Sequence, residues 1–412
     1  MKIEFAVSLE TNVGFVLDVD QLDNANLGFL ETAINEPVLS VSWRRGRDSI
    51  FDVFSAGSCV VVFDNATGVL DANNIYSPLY GSLYPGRSIT VRATYNDPIY
   101  GPSFVSVFRG VTESYNYSYD LDGRAILSIT CVDVFSRLAN VNIDSLVVPA
   151  ELSGARVQRI LDLCDVPGAY QAVDTGYTIC EAETLTNVRA LDHLNKVALS
   201  EFGNLFVTGD GLVTFKQRNP PNIYGALYVS NLYNAFIDDV EFEYSFDRIT
   251  NDVILNTNTL TSAATNTASV AQYGSRSNVF DLTVSTQTQL DKLAAGYVQY
   301  LGEPEMLCRS ASINFLAIEQ VGDEIGVDGL HVQYIGQTEI GLLTAVSWQP
   351  PAAPGYTVSP IINDPVLIVA SEHVVTPNSH TCTIKLDYAL GSNAFLLDDL
   401  VMGVLDYGKL GL

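Results

Sequence analysis

Between Trp43 and Gly110 turn-forming residues interrupt the chain so often that the stretch reads as strands and turns, not helices. It opens on Trp43-Arg44-Arg45-Gly46-Arg47-Asp48. Ser58-Cys59-Val60-Val61-Val62-Phe63 follows; it is short, apolar and rich in β-branched residues, which predicts a buried strand. Asp64-Asn65-Ala66-Thr67-Gly68 is a turn cluster whose Asn, Asp and Gly tolerate the angles a turn needs. The segment from Asp71 to Gly81 (DANNIYSPLYG) is too polar and too broken to be an element. Leu83-Tyr84-Pro85-Gly86-Arg87 is a second turn. It feeds a strand from Ser88 to Ala93, and Val107-Phe108-Arg109-Gly110 closes the stretch.

Singly, these fragments say only strand and turn; their order is more specific. WRRGRD, then FDNATG, then DANN and SPLY, then LYPGRSITVRA, then VFRG resembles the N-terminal part of a family of bacteriophage minor tail proteins of the tail-tip hub type. In that family R-G-R precedes a D-N-x-x-G turn, and an S-P-Y-type loop, a P-G-R turn and an F-x-G strand follow. Here the loop reads SPLY. The longest match is LSGARVQRILDLCDVP, then DTGYT, then LDHLNKVALSEFGNLFVTGDGLVTFKQR. Shorter matches lie at Tyr244 to Val253, at Tyr273-Gly274-Ser275-Arg276 and at the end, from Phe395 to Gly411. A strand from Val321 to Val327 is expected by the same likeness.

The chain has 412 residues, room for two to four domains. Its 47% hydrophobic and 17% charged residues argue against disorder. The net charge of -26 repels nucleic acid and anionic membrane. The start, Met1-Lys2-Ile3-Glu4-Phe5, lacks the charged and apolar regions of a signal peptide, and no apolar run reaches membrane-spanning length. The expectation is a protein made in the cytoplasm and kept there unless an assembly carries it out.

Along the chain, Lys2 to Ser8 is a strand, and a polar stretch with Asp18, Asp20 and Asp23 follows; it lacks the Gly and Glu positions of a calcium loop. Tyr115, Tyr117 and Tyr119 alternate onto one strand face, where they pack or make a subunit contact. Leu121-Asp122-Gly123-Arg124 turns into a return strand from Ala125 to Asp133, and a short helix follows from Val134 to Ala139.

From residue 151 the pattern changes. Ser153 caps a helix that buries Val157, Ile160, Leu161 and Cys164. A second helix starts near Thr186, buries Ala190, Leu191, Leu194, Val197 and Ala198, and ends at Gly203. A hairpin across Gly209-Asp210-Gly211 completes a small α+β insert. Asn256 to Ser269 reads as a loop or edge ribbon. Thr288 to Leu301 is a helix stopped by Gly302, Trp348 to Gly355 is a proline-rich loop, and His380 to Leu386 is an alternating strand.

Sites for chemistry are few. Six scattered cysteines contain no C-x-x-C, so no zinc site is expected; Cys59 and Cys131 read as buried thiols, and Cys164 and Cys180 are near enough in sequence for a disulfide. His193 sits mid-helix beside Asp192 and Asn195, which do not face it, so no dyad follows. No G-x-S-x-G, H-E-x-x-H, P-loop or G-x-G-x-x-G occurs. No catalytic, cofactor-binding or metal residues are assigned. Arg44, Arg45 and Arg47, crowded in a chain with 21 basic residues, are expected at a subunit or domain interface.

The fold expected is mainly β with a small α+β insert. The resemblance implies that two tube-like β-barrel or sandwich domains flank that insert. The divisions are 1–145, 146–234, and 235–412 with a C-terminal extension. It further implies a homotrimeric hub ring at the virion tail tip, assembled in the host cytoplasm. Its partners are distal tail and tail tube proteins, tail fibre or receptor-binding proteins and the tape measure protein, and genomic DNA passes through without specific binding. The alternatives are a hexameric distal tail ring, a carbohydrate-binding β-protein, and an enzyme with a carboxylate pair.

Overall fold

Alternation of apolar and polar side chains builds the largest element. The computed structural model describes residues 4–11, 30–49, 52–97, 101–218, 227–231, 236–325 and 330–389. Seven strands come first among the described residues: β1 (Glu4–Thr11), β2 (Leu30–Ile34), β3 (Val38–Gly46), β4 (Ser58–Asp64), β5 (Ser88–Asp97), β6 (Gly101–Tyr119) and β7 (Ala125–Val132). Cys59, Val61 and Phe63 of β4 and Leu127, Ile129 and Cys131 of β7 turn inward, and their neighbours turn out, as a pleated strand with one buried face requires.

Thirteen strands of the described residues form one sheet. From one edge to the other run Ile237–Glu243, Leu307–Asn314, Ser379–Tyr388, Ile361–Thr376, β3, β4, β7, β6, β5, β1 and β2. Leu343–Trp348 pairs beside Ile361–Thr376, and Val229–Ser230 pairs with Leu343–Trp348. Strands from the two ends of the chain therefore meet along one seam, where β3 lies antiparallel to Ile361–Thr376 from Val41↔Val375 to Gly46↔Ala370. One row crosses that seam: Ile313, Cys382, His373, Trp43, Cys59, Cys131 and Thr112 are successive partners, and all are buried. Gly46 allows the close approach, because a Cβ there would lie 2.2 Å from the Val369 carbonyl oxygen, at a φ of +109°.

The insert follows β7. It contains α1 (Val134–Asn140), α2 (Ser153–Leu163) and α3 (Ala190–Glu201), with the hairpin Asn204–Val207 and Val213–Lys216. Its own core gathers Val157, Ile160, Leu161, Leu194, Val197 and Phe215. Two caps differ from expectation. Ser153 is the first helical residue of α2, not its cap, and its hydroxyl donates to Glu201 Oε2 at 2.8 Å. The left-handed residue that ends α3 is Phe202, at φ 54°, not Gly203. Gly203 serves instead where a Cβ would meet the Lys216 carbonyl oxygen at 2.4 Å.

A second layer comes from α4 (Thr267–Tyr273), α5 (Gln287–Leu301) and the three strands Thr261–Thr265, Asp252–Asn256 and Ser277–Asp281. The expected ribbon is present as Thr261–Thr265, but the segment's end turns helical because Asn266 Oδ1 accepts the Ser269 amide at 3.1 Å and starts α4. Helix α5 starts on the Thr286 cap and stops at Gly302. The chain then forms α6 (Phe315–Ile325) and α7 (Leu330–Gly336). The strand expected from Val321 to Val327 is corrected: residues to Ile325 belong to α6, and Gly326 and Val327 lie outside the described residues. Asn314 Oδ1 takes the amides of Leu316 and Ala317, and Phe315 and Ile318 are buried one helical turn apart, which fixes the helix. The Asp18–Asp23 stretch and the end from Phe395 also lie outside the described residues.

Candidate functional site

The arginines of the opening motif part ways because a strand alternates. Val41, Trp43 and Arg45 face inward on β3, so Arg44 faces out. Arg44 Nη2 reaches Asp48 at 2.7 Å, beside Lys385 Nζ on the same carboxylate at 2.5 Å. Arg45 is only 5% exposed. Its Nη1 and Nη2 grip Glu339 two-fold, at 2.5 and 3.0 Å, and Nη1 also donates to the Val207 carbonyl oxygen at 3.2 Å. This planar fork is what arginine provides and lysine does not. Val207 lies in the insert and Glu339 follows α7, so one guanidinium holds three parts of the chain.

Arg47 points elsewhere. Its Nη2 donates to Asn204 Oδ1 at 2.7 Å and Nη1 to the Asp52 carbonyl oxygen at 3.4 Å, and the group lies 4.4 Å over the Phe54 ring. No carboxylate among the described residues pairs with it within ion-pair distance, and its Nε has no hydrogen-bond partner. Burial lowers its pKa to about 10 against the raising influence of Asp387 and Asp52. Arg47 borders a cleft of about 310 Å³ between the sheet, the insert and α5. Leu199, Phe202, Tyr297, Leu343 and Leu367 line much of it, and Ala389 sits at its wall.

Other buried charges were not singled out in the sequence. Arg156 is fully buried and donates to Glu151, Glu183 and the carbonyls of Pro149 and Glu181. Its signal was available: it falls four residues before Ile160, inside the apolar stripe of α2. Asp387 holds Arg248 Nη2 at 2.5 Å and Arg309 Nη1 at 3.0 Å. Asp133 caps α1 by accepting the Phe135 amide at 2.9 Å and also takes that of Gly57 at 2.8 Å, and burial pushes its pKa up to about 7.

Three of the four histidines cluster in the large core. His373 stacks on Trp43 at 4.3 Å and His380 on Phe315 at 4.3 Å, with His373 Nδ1 and His380 Nε2 3.0 Å apart. Thr338 Oγ1 lies 3.0 Å from His373 Nε2. Burial lowers both pKa values, His380 to about 3. His193 is buried apart from them, its Nε2 unpartnered and its pKa lowered to about 4 by burial.

All six cysteines are buried free thiols, Cys164 and Cys180 included. Burial raises the pKa of Cys131, Cys308 and Cys382 to about 12, which keeps them as neutral thiols. No group of three or more metal-ligating side chains occurs among the described residues. What the chain does present outward is aromatic: Tyr76 is 90% exposed, and Tyr80, Tyr84 and Tyr119 are exposed near it in sequence or across the sheet. Tyr119 donates to Asp71 Oδ2 at 2.7 Å, which ties the β6–β7 hairpin to the DANN loop.

No family model matches this sequence, and no curated protein matches it. Solved structures do. The prophage MuSo2 43 kDa tail protein from Shewanella oneidensis superposes with a TM-score of 0.55 at 11% identity, over 94% of this chain and 97% of that one. The tail protein from Neisseria meningitidis MC58 gives 0.56 at 11% identity, over 94% and 96%. The Francisella PdpA–VgrG complex gives 0.50 at 11% identity, over 94% of this chain and 53% of the other. The chain has the fold of phage tail proteins, along nearly its whole length, and the mainly β architecture expected from its motifs is the one found.

Proposed function

We propose that this chain is a structural protein of a phage tail tip, three copies of which form the hub ring that ends the tail tube. The observation that carries the reading is a likeness of fold spanning 94% of this chain and 97% of a tail protein of similar build. The distribution of strands supports it. Seven of the sheet's described strands lie before the insert and the others after its hairpin, from Val229–Ser230 onward, and the two sets join at the β3 seam; we divide the chain at 1–145, 146–234 and 235–412. Two tube-like halves in each of three chains give six units around a ring, which suits a six-fold tube.

In this reading the work is mechanical. The ring binds distal tail and tail tube proteins on one side and fibre or receptor-binding proteins on the other, meets the tape measure protein, and lets DNA pass. The interior chemistry suits such a part: buried arginine–carboxylate networks fix its sub-structures in place, and its thiols are protonated. The exposed tyrosines suit contacts with a neighbouring subunit or tail component, because tyrosine combines apolar area with a polar tip. Antibody labelling of intact particles tests the location. Label at the tail end distal to the capsid is the expected result; label along the tube or on the capsid contradicts it.

A further inference from the structure

The cleft beside Arg47 is unlike the rest of the buried charge in the molecule. Arg45, Arg156, Arg248 and Arg309 each meet a carboxylate within 3.4 Å. Arg47 is 9% exposed, borders a largely apolar cleft, and among the described residues hydrogen-bonds only to an amide oxygen and a backbone carbonyl, with the Phe54 ring beneath it. An unpaired buried cation is costly, and a carboxylate brought to it gains a strong charge-assisted bond. Lys196, at the same cleft, adds a second positive group, while Asp52 and Asp192 on its wall supply no ion pair to Arg47. The cleft therefore fits a ligand with an apolar body and an acidic group.

The chain itself carries such a ligand. Its described part stops at Ala389, a residue of the cleft wall, and 23 residues follow, from Leu390 to Leu412. Leu390-Gly391-Ser392-Asn393 is rich in turn formers, so the sequence allows the chain to reverse there. Phe395-Leu396-Leu397-Asp398-Asp399-Leu400-Val401-Met402 comes next: six apolar residues around two adjacent carboxylates. Eight residues separate Ala389 from Asp398, and the nine Cα steps between them span roughly 30 Å when extended, so reach is not limiting.

We propose that this cleft is the docking site of the chain's own C-terminal segment around Phe395 to Met402, with Asp398 or Asp399 paired to the Arg47 guanidinium. The proposal rests on the cleft and on the sequence, not on the tail-hub reading. In that arrangement the apolar side chains cover Leu199, Phe202, Leu343 and Leu367, and the segment joins the sheet, the insert and α5 at a space that all three border. The acidic pair limits the segment's register, since a carboxylate reaches Arg47 only when Asp398 or Asp399 stands opposite it.

The test uses the full chain with Val53→Cys, at the exposed rim of the cleft, and Leu397→Cys. Under mild oxidation a cross-link within one chain is expected, read as a loop-linked peptide by mass spectrometry. In the same chain Asp398→Asn with Asp399→Asn is expected to slow cross-linking by about tenfold, the loss of one charge-assisted pair. Arg47→Met, a second variant, is expected to slow it similarly. Absence of any cross-link, a cross-link found only between two chains, or an unchanged rate in the asparagine variant would each overturn the proposal. The between-chain result would assign the cleft to a second copy's segment.

Discussion

At the scale of single residues, the buried histidines tie the fold's stability to pH. His373 and His380 are distant from Trp43 along the chain, yet His373 is its partner across the seam and His380 lies in the adjoining row, opposite Val375, with its Nε2 3.0 Å from His373 Nδ1. Both imidazoles are held neutral by burial, with His331, Arg45, Thr338 and Cys382 the groups whose charge or hydrogen bonding bears on the cluster. A histidine whose folded pKa lies below its unfolded value of 6.5 takes up protons on unfolding, so its contribution is full above pH 6.5 and is lost as pH falls toward the folded value, about 3 for His380. The limiting slope is about 1.4 kcal/mol per pH unit for each histidine. Asp133 acts in the opposite sense: its pKa is raised to about 7, so its contribution declines as pH rises from 3.8 to 7. Urea midpoints measured from pH 7 to pH 4 should therefore fall in the native chain, and more shallowly once His373→Gln and His380→Gln are introduced. An equal slope in both proteins would remove the histidines from the account.

At the scale of elements, local pattern and distant pairing separate cleanly. β4, β5, β7, α2, α3, α5 and Ser379–Tyr388 were legible, because alternation, helical spacing and stop residues are properties of neighbours in sequence. α6 was not: V-G-D-E-I mimics a strand, and the deciding facts are the Asn314 cap and the sheet beneath it. The pairing of β3 with Ile361–Thr376 was invisible, since nothing local announces a partner more than three hundred residues away. The fates of Arg44, Arg45 and Arg47 were half legible. Alternation from Val41 and Trp43 puts Arg45 inside, but Glu339 and Val207 could be found only in three dimensions. Gly46 offers a direct probe of the seam. Gly46→Ala places a methyl 2.2 Å from the Val369 oxygen at a strained φ, and more than about 3 kcal/mol of destabilisation is expected. Gly81→Ala, also at positive φ (+76°) but with nothing within 4 Å, should cost only about 1 kcal/mol. Thermal midpoints of the two variants compare them; equal shifts would mean the seam tolerates separation.

At the scale of the whole molecule, the net charge of -26 bears on the proposed hub, a ring that DNA is to pass through. Each phosphate contact made by Lys or Arg adds affinity by releasing counterions, so a smooth channel wall needs few of them. Screening limits the field to about 8 Å at physiological salt, which makes the wall, not the total, the relevant surface. More Asp and Glu than Lys and Arg are expected to face the channel of the assembled ring; a net positive wall would indicate a part that grips DNA. The claim beneath this is the number of subunits. Native mass spectrometry of the purified assembly, with imaging of the same ring in particles, counts them directly. Three copies with threefold symmetry are predicted. Six equivalent copies, or a stable monomer that never forms a ring, would contradict the hub.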